Sequence, residues 1–279
     1  VSGERGSGQM KGVEVGPEED GSVPTLRLAG IGQLAEIDED AFTDGAFILS
    51  IGGAQQSHVD LVNPGNVFYE YLRRIANVLD IFKPAGKPIR VLHLGAGALT
   101  LARYVQAKRP GSDQVAVELE RELLDFVLEH LPLPAGTRCS LVIDDARAAL
   151  DRFEPESFDA VVLDVFAGAD APAHLTEDAF YRALTALTAP GGVVLVNVGD
   201  DPPLTFARAQ ARLLREAADD VALLADAGMV SGRMAGNVVL VGTDRLWPAD
   251  WTPKLVAAGP HPGVVVTGPE LASFCTAQQ

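Results

Sequence analysis

The chain has 279 residues, 47% of them hydrophobic, enough apolar material for one large domain or for a small unit joined to a large one. Its 38 acidic residues outnumber 22 basic ones, a formal charge of -16 that repels phosphate backbones and argues against a nucleic-acid partner, while suiting either a cationic ligand or plain solubility. No apolar run reaches the roughly 18 residues of a membrane span, the first residues are not signal-like, and Cys139 and Cys275 stand far apart with no metal-ligand spacing. A cytoplasmic protein with no membrane partner, disulfide framework or metal site is therefore expected.

Residues 1–23 carry glycine and charge without apolar periodicity and read as a disordered leader. Over 24–64, short apolar segments at 26–28 and 46–51, divided by Asp44-Gly45 and Gly52-Gly53, predict a small antiparallel β domain. Residues 65–88 read as a connecting helix and a linker: Phe68, Leu72, Ile75, Leu79 and Phe82 recur at helical spacing before Lys83-Pro84-Ala85-Gly86-Lys87-Pro88. From 89 to 243 strands and helices alternate. Strands are expected near 89–94, 114–118, 138–143, 158–164, 192–198, 221–226 and 236–242, with helices near 98–109, 120–131, 145–152, 176–189 and 203–218. This rhythm predicts an α/β, Rossmann-like domain with a mostly parallel sheet of seven strands. Residues 244–279, with Trp247-Pro248 and later prolines and glycines, read as an irregular tail.

Such sheets hold ligands at the carboxyl ends of their strands. After the apolar run 91–94 comes Gly95-Ala96-Gly97, a turn in which Gly97 leaves room for close approach of a ligand, although glycine turns after strands also serve structure alone. Glu118 ends the next apolar run, where a carboxylate can accept hydrogen bonds from two ribose hydroxyls. Leu99 and Thr100 stand where a dinucleotide site wants a further glycine, so a mononucleoside such as S-adenosylmethionine fits better than NAD or FAD. Asp144, Asp145 and Asp164 lie at or just past later strand ends. Asp145, preceding Ala146-Arg147-Ala148, can also be only a helix N-cap.

These segments resemble the spermidine synthase family of polyamine aminopropyltransferases, which share the class I methyltransferase fold; the likeness runs from about 46 to 243. Gly52-Gly53-Ala54-Gln55-Gln56 is similar to the family's Asp-Gly-x-x-Gln, which implies that Gln56 holds the amino-acid end of the cofactor. The resemblance likewise implies a nucleoside site at Gly95, Ala96 and Gly97, at Glu118 and Leu119 for the ribose, and at Asp144, Asp145 and Ala146 for the adenine. Asp164 occupies the place of the catalytic aspartate and would also touch the cofactor. The stretch 172–181, Pro-Ala-His-Leu-Thr-Glu-Asp-Ala-Phe-Tyr, resembles the family's Pro-Ala-x-x-Leu-Phe-x-x-x-Phe-Tyr. Gln56, Val165, Phe166 and His174 would line the amine side. S-adenosylmethionine or its decarboxylated form is the implied cofactor, consumed as a substrate, with no metal, an amine as second substrate and a homodimer as the assembly.

The chain also departs from the family. Where the family has Gly-Gly-Gly-Asp-Gly-Gly this sequence has Gly95-Ala96-Gly97-Ala98-Leu99-Thr100, so Ala98 replaces a carboxylate expected to meet the cofactor's ammonium. The second aspartate of an Asp-Ser-Ser-Asp-Pro loop is missing from Asp164-Val165-Phe166-Ala167-Gly168, with Asp170 out of register, and a Tyr-Pro pair is replaced by Met229-Val230. Burying an ammonium without paired carboxylates costs on the order of several kcal/mol, so altered or reduced polyamine specificity is expected. Three readings follow. One is aminopropyl transfer, with Asp164, ionised at neutral pH if its pKa stays near about 3.9, taking the amine's proton. The others are a methyltransferase acting on another small nucleophile, with Asp164 or His174 as base, and a noncatalytic nucleoside binder. The first is the reading favoured.

Overall fold

A computed structural model describes residues 23–165 and 171–276 of the chain. The leader, apart from Val23, therefore lies outside the described residues, as does Phe166. Four strands, β1 (Thr25–Arg27), β2 (Leu34–Glu39), β3 (Ala46–Ile51) and β4 (Ala54–Asp60), pair antiparallel in chain order. The two-residue turn between β3 and β4 falls on Gly52 and Gly53, both with positive φ, the conformation that such hairpins require. Ala35, Ile37, Leu49 and Val59 face inward from this sheet.

Helix α1 (Glu70–Ile81) follows and buries Leu72, Ile75, Val78 and Leu79. Phe68, which the spacing places on that stripe, precedes the helix, is 62% exposed and stacks on His58. The Lys-Pro-rich segment after α1 is held by one side chain. Arg109, 2% exposed, donates to the carbonyls of Leu79, Asp80, Lys83, Pro84 and Lys87.

The second sheet contains β5 (Arg90–Leu94), β6 (Asp113–Glu118), β7 (Arg138–Ile143), β8 (Phe158–Leu163), β9 (Thr188–Asp200), β10 (Asp220–Asp226), β11 (Gly236–Thr243) and β12 (Gly263–Thr267), in the order β12-β10-β11-β9-β8-β5-β6-β7. From β9 to β7 the neighbours are parallel; β11, β10 and β12 add by antiparallel pairing. Helices α2 (Thr100–Lys108), α3 (Arg121–His130), α4 (Ala146–Leu150), α5 (Asp178–Ala186), α6 (Thr205–Ala217), α7 (Ala227–Val230), α8 (Trp251–Ala258) and α9 (Gly268–Thr276) complete the chain. Adjacent residues of a strand face opposite ways. Thus Leu92, Val161 and Val194 share one core with α5, α6 and α9, while Val91, Ala160 and Val193 share the other with α1, α2 and α8. Both faces are covered, which is why the strands read as continuous apolar runs.

Two expectations are corrected. The sheet has eight strands rather than seven, and the C-terminal stretch is ordered as α8, β12 and α9 instead of an irregular tail. Pro253 sits in the first turn of α8, where its missing N–H leaves no hydrogen bond unmade, so the proline does not break the helix. Val264–Val266 pair with β10, and Trp251, Leu255, Leu271 and Phe274 are buried on the two cores. Among the described residues no helix is long and apolar enough to cross a membrane.

Candidate functional site

A cavity of about 800 Å³ opens at the carboxyl ends of β5, β6, β7 and β8, bounded also by β4 and the start of α1. Gln56, Gly95, Glu118, Asp145 and Asp164 all line it, so one space gathers residues drawn from five separate segments. Gln55 and Gln56, at the start of β4, are exposed, and Gln55 Oε1 accepts a long hydrogen bond of 3.4 Å from the Tyr69 hydroxyl.

The glycine turn is shaped by neighbouring protein as much as by any ligand. Gly95 has φ +91°, and a Cβ there would stand 2.3 Å from the Asp164 carbonyl oxygen. Gly97 has φ +49°, and its Cβ would meet Ser57 Oγ at 2.7 Å. That hydroxyl accepts from the Ala98 N–H at 3.1 Å, tying the turn to β4. Leu99 adopts φ +59° where a glycine would be comfortable, a strain of about 1–2 kcal/mol retained at the entrance to α2. Ala98 is 1% exposed and packs with Leu28, Ala35, Leu49 and Phe126, and it does not line the cavity. Its methyl group therefore fills an apolar seam between the small sheet and α3, and a carboxylate there would be buried among aliphatic groups.

Glu118 ends β6. Its Oε2 accepts from the Ala96 N–H and its Oε1 from the Glu120 N–H, each at 3.1 Å, so the carboxylate is already oriented beside the glycine turn and keeps further lone pairs for hydroxyl donors. Leu119, 63% exposed, lines the same wall. At the end of β7, Asp145 caps α4: its Oδ1 accepts from the Arg147 and Ala148 N–H groups. Its Oδ2 stands 2.8 Å from His174 Nε2. Burial pushes the Asp145 carboxyl up, but the His174 and backbone hydrogen bonds outweigh it and leave the group below the usual carboxylate range. The N-cap reading of Asp145 thus holds alongside its place on the cavity wall. Asp144 receives Arg152, and Ala146 lines the wall between them and the sheet. His174 is corrected: it contacts Asp145 and does not line the cavity, whereas Pro172 and Leu175 from the same turn do.

Asp164 follows β8 and its N–H donates to Leu94 O at 2.8 Å, which holds the residue against the Gly95 turn. Its Oδ1 accepts from Asn197 Nδ2 at 2.8 Å, and Asn197 Oδ1 accepts in turn from Asn237 Nδ2 at 3.1 Å. The Tyr71 hydroxyl lies near the carboxylate and favours its charged form. Burial pushes the Asp164 carboxyl above the ordinary carboxylate range, and Asn197 and Tyr71 offset only part of that rise. The ordinary pKa expected from the sequence is therefore corrected: Asp164 is a stronger base than a solvated aspartate. Burial, then the Asp164 charge, raise the Tyr71 phenol, which keeps its proton. Val165 also lines the cavity.

Sequence reasoning missed Tyr71, Asn197, Asn237 and Asp226, all of them lining residues. Asn197 left a signal, one amide inside the apolar run of β9; Tyr71 left none, since it belongs to an ordinary amphipathic helix. Among the described residues no group of three or more His, Cys, Asp or Glu side chains is placed to hold a metal ion.

No family model matches the chain. Its fold superposes on the crystal structure of a probable spermidine synthase from Corynebacterium glutamicum with a TM-score of 0.82, at 30% identity and covering 92% of this chain and 95% of that one. The chain belongs to the spermidine synthase family of polyamine aminopropyltransferases. Within that family it is divergent. Polyamine aminopropyltransferase 2 of Pseudomonas aeruginosa is 36% identical over 118 residues, covering 40% of this chain and 34% of that protein, so the chain spans about a third of this curated relative's length. A spermidine synthase crystallised with the transition-state analogue AdoDATO shares the fold at 15% identity, with a TM-score of 0.60, over 82% of this chain and 75% of that one.

Proposed function

We propose that the chain binds S-adenosylmethionine or its decarboxylated form in this cavity and transfers an aminopropyl group, which keeps its carboxyl when the donor is S-adenosylmethionine itself, to an amine whose recognition differs from that of simple polyamines. In that reaction the amine nitrogen attacks the carbon attached to the sulfonium, the carbon–sulfur bond breaks and methylthioadenosine leaves. The nitrogen's surplus proton passes to Asp164. The observation that carries this reading is the half-buried, desolvated Asp164 carboxylate, which shares one cavity with the Gly95 turn and Glu118. Desolvation strengthens it as a base, and the hydrogen bond from Asn197 fixes its orientation. The family relationship and the AdoDATO complex of a fold neighbour support a nucleoside with a sulfur-linked tail.

Two measurements test the proposal. Methylthioadenosine is expected to bind in calorimetry, and Glu118→Gln to weaken it by about 10- to 100-fold, the range for a hydrogen bond to a charged group. Gln retains an acceptor for the Ala96 N–H, so a loss of affinity at unchanged Tm isolates the ribose contact from the tie between β6 and the glycine turn. Unchanged affinity would reject the assignment. Turnover with decarboxylated S-adenosylmethionine and putrescine is expected to stay below about 1 s⁻¹, because Val165 and Met229 give the cavity apolar groups that cannot pair with an ammonium. Chromatography of the released thioether also identifies the carbon transferred: methylthioadenosine reports aminopropyl transfer, and decarboxylated S-adenosylhomocysteine would instead report methyl transfer.

A further inference from the structure

The start of α1 carries a cation that the transfer chemistry above does not use. Arg74 is 4% exposed and lines the cavity. Its Nη1 donates to Glu70 Oε2 at 3.1 Å, but Nη2 is buried and has no hydrogen-bond partner among the described residues. A buried guanidinium N–H left unpaired is costly, and Glu70 does not require the arrangement, since its own side chain is 58% exposed. Tyr71, Arg74 and Asn77 recur every three residues and so share one side of α1. Tyr71 reaches Asp164 at the end of β8, while Asn77 Nδ2 donates to Gly259 O just beyond α8. Arg74 thus lies along the helix between the reacting carboxylate and the outer part of the sheet, the side on which Asp226, Met229 and Asn237 line the same cavity.

We infer that Arg74 binds a carboxylate, so that one of the two molecules meeting in this cavity carries a carboxyl group. The guanidinium presents two parallel N–H donors to planar oxyanions; Glu70 uses one nitrogen and leaves the other for a ligand. A simple diamine has nothing to offer that donor, and neither does the tail of decarboxylated S-adenosylmethionine, which ends in an ammonium. A carboxylate has two sources here. If it belongs to the acceptor, the acceptor is an amino acid and the transferred group is aminopropyl; if it belongs to the nucleoside, the nucleoside is S-adenosylmethionine itself and the transferred group keeps its carboxyl. The inference rests on the nucleoside-transferase reading of the cavity and specifies its substrate class.

Calorimetry on the whole chain compares matched pairs that differ by one carboxylate: S-adenosylmethionine with decarboxylated S-adenosylmethionine, and, on the methylthioadenosine complex, ornithine with putrescine. The carboxylated member of one pair is expected to bind about 10- to 100-fold more tightly, and the pair in which this happens identifies the source. Arg74→Met is expected to abolish that preference and Arg74→Lys to keep part of it, with methylthioadenosine affinity within about twofold of wild type. Should the Met variant not fold, the wild-type preference and its reduction in Arg74→Lys decide. An arginine serving only its ion pair with Glu70 would leave the preference unchanged in both variants, which overturns the inference, as does a wild type with no preference in either pair. If methylthioadenosine binds and no carboxylate preference appears, Arg74 alone is misassigned. If methylthioadenosine does not bind, the nucleoside reading falls and this inference with it.

Discussion

Asp164→Asn is expected to lower kcat by about 10²- to 10⁴-fold while raising the melting temperature at neutral pH. Asparagine keeps the shape and an oxygen that can accept from Asn197, but it cannot take a proton from the attacking amine. The stability change follows from the desolvation of the half-buried carboxylate. Burial raises its pKa in the folded chain above the unfolded value of about 3.9, so the native state binds the proton more tightly than the unfolded state does. Wild-type stability therefore falls as pH rises from the unfolded pKa through the folded one, because ionising the desolvated group costs more in the folded chain. The amide carries no such cost. The gain in Tm, about 2–4 °C for each kcal/mol relieved, is expected to shrink as pH is lowered toward the unfolded pKa of about 4. Melting curves at several pH values, with single-turnover rates at pH 7, measure both effects. A fall in Tm with unchanged turnover would make Asp164 a structural residue of the loop that follows it.

Gly95→Ala is expected to cost about 2–6 kcal/mol of stability and to abolish measurable methylthioadenosine binding, a sum of backbone strain and overpacking. The new Cβ would stand 2.3 Å from the Asp164 carbonyl oxygen and 3.0 Å from Val165 Cγ1, and φ of +91° is one that side chains rarely adopt. Neither strand end can yield easily, since Gly95 N donates to Val117 O and Asp164 N to Leu94 O, so a displacement opens the ladder on both sides of β5. Gly53→Ala is the matched control. It has φ +80° and nothing within 4 Å of the added methyl, so it reports the strain of positive φ without the collision. Denaturant titrations of the two variants separate these contributions. Equal, small losses in both would mean that the ends of β5 and β8 relax without cost and that the close approach at Gly95 is unimportant.

The local pattern of the sequence was sufficient for the alternation of strands and helices over residues 89–243. Apolar runs of four to seven residues alternating with amphipathic stretches are the signature of strands buried on both faces, and chain order alone then puts Gly95, Glu118, Asp145 and Asp164 at strand ends. The C-terminal edge strand escaped that reading because Pro253 and the short lengths of α8 and α9 hide helical periodicity, and because a five-residue strand is recognised only when β10 supplies its partner. What the site residues do depended on tertiary structure throughout. The basicity of Asp164 comes from desolvation, offset in part by Asn197, 33 residues away, and by Tyr71 on a helix before the first strand of its sheet. Ala98 reads in sequence as a lost carboxylate of the pocket, yet packing against Leu28 and Leu49 turns it into the seam beneath the small sheet. Arg74 reads as one more charged residue of an amphipathic helix until burial leaves Nη2 unpaired at the cavity wall. Periodicity is a property of neighbours along the chain, and it reports which face of an element is buried; desolvation and hydrogen-bond partnership are set by segments tens of residues apart, which only the folded arrangement brings within reach of one another.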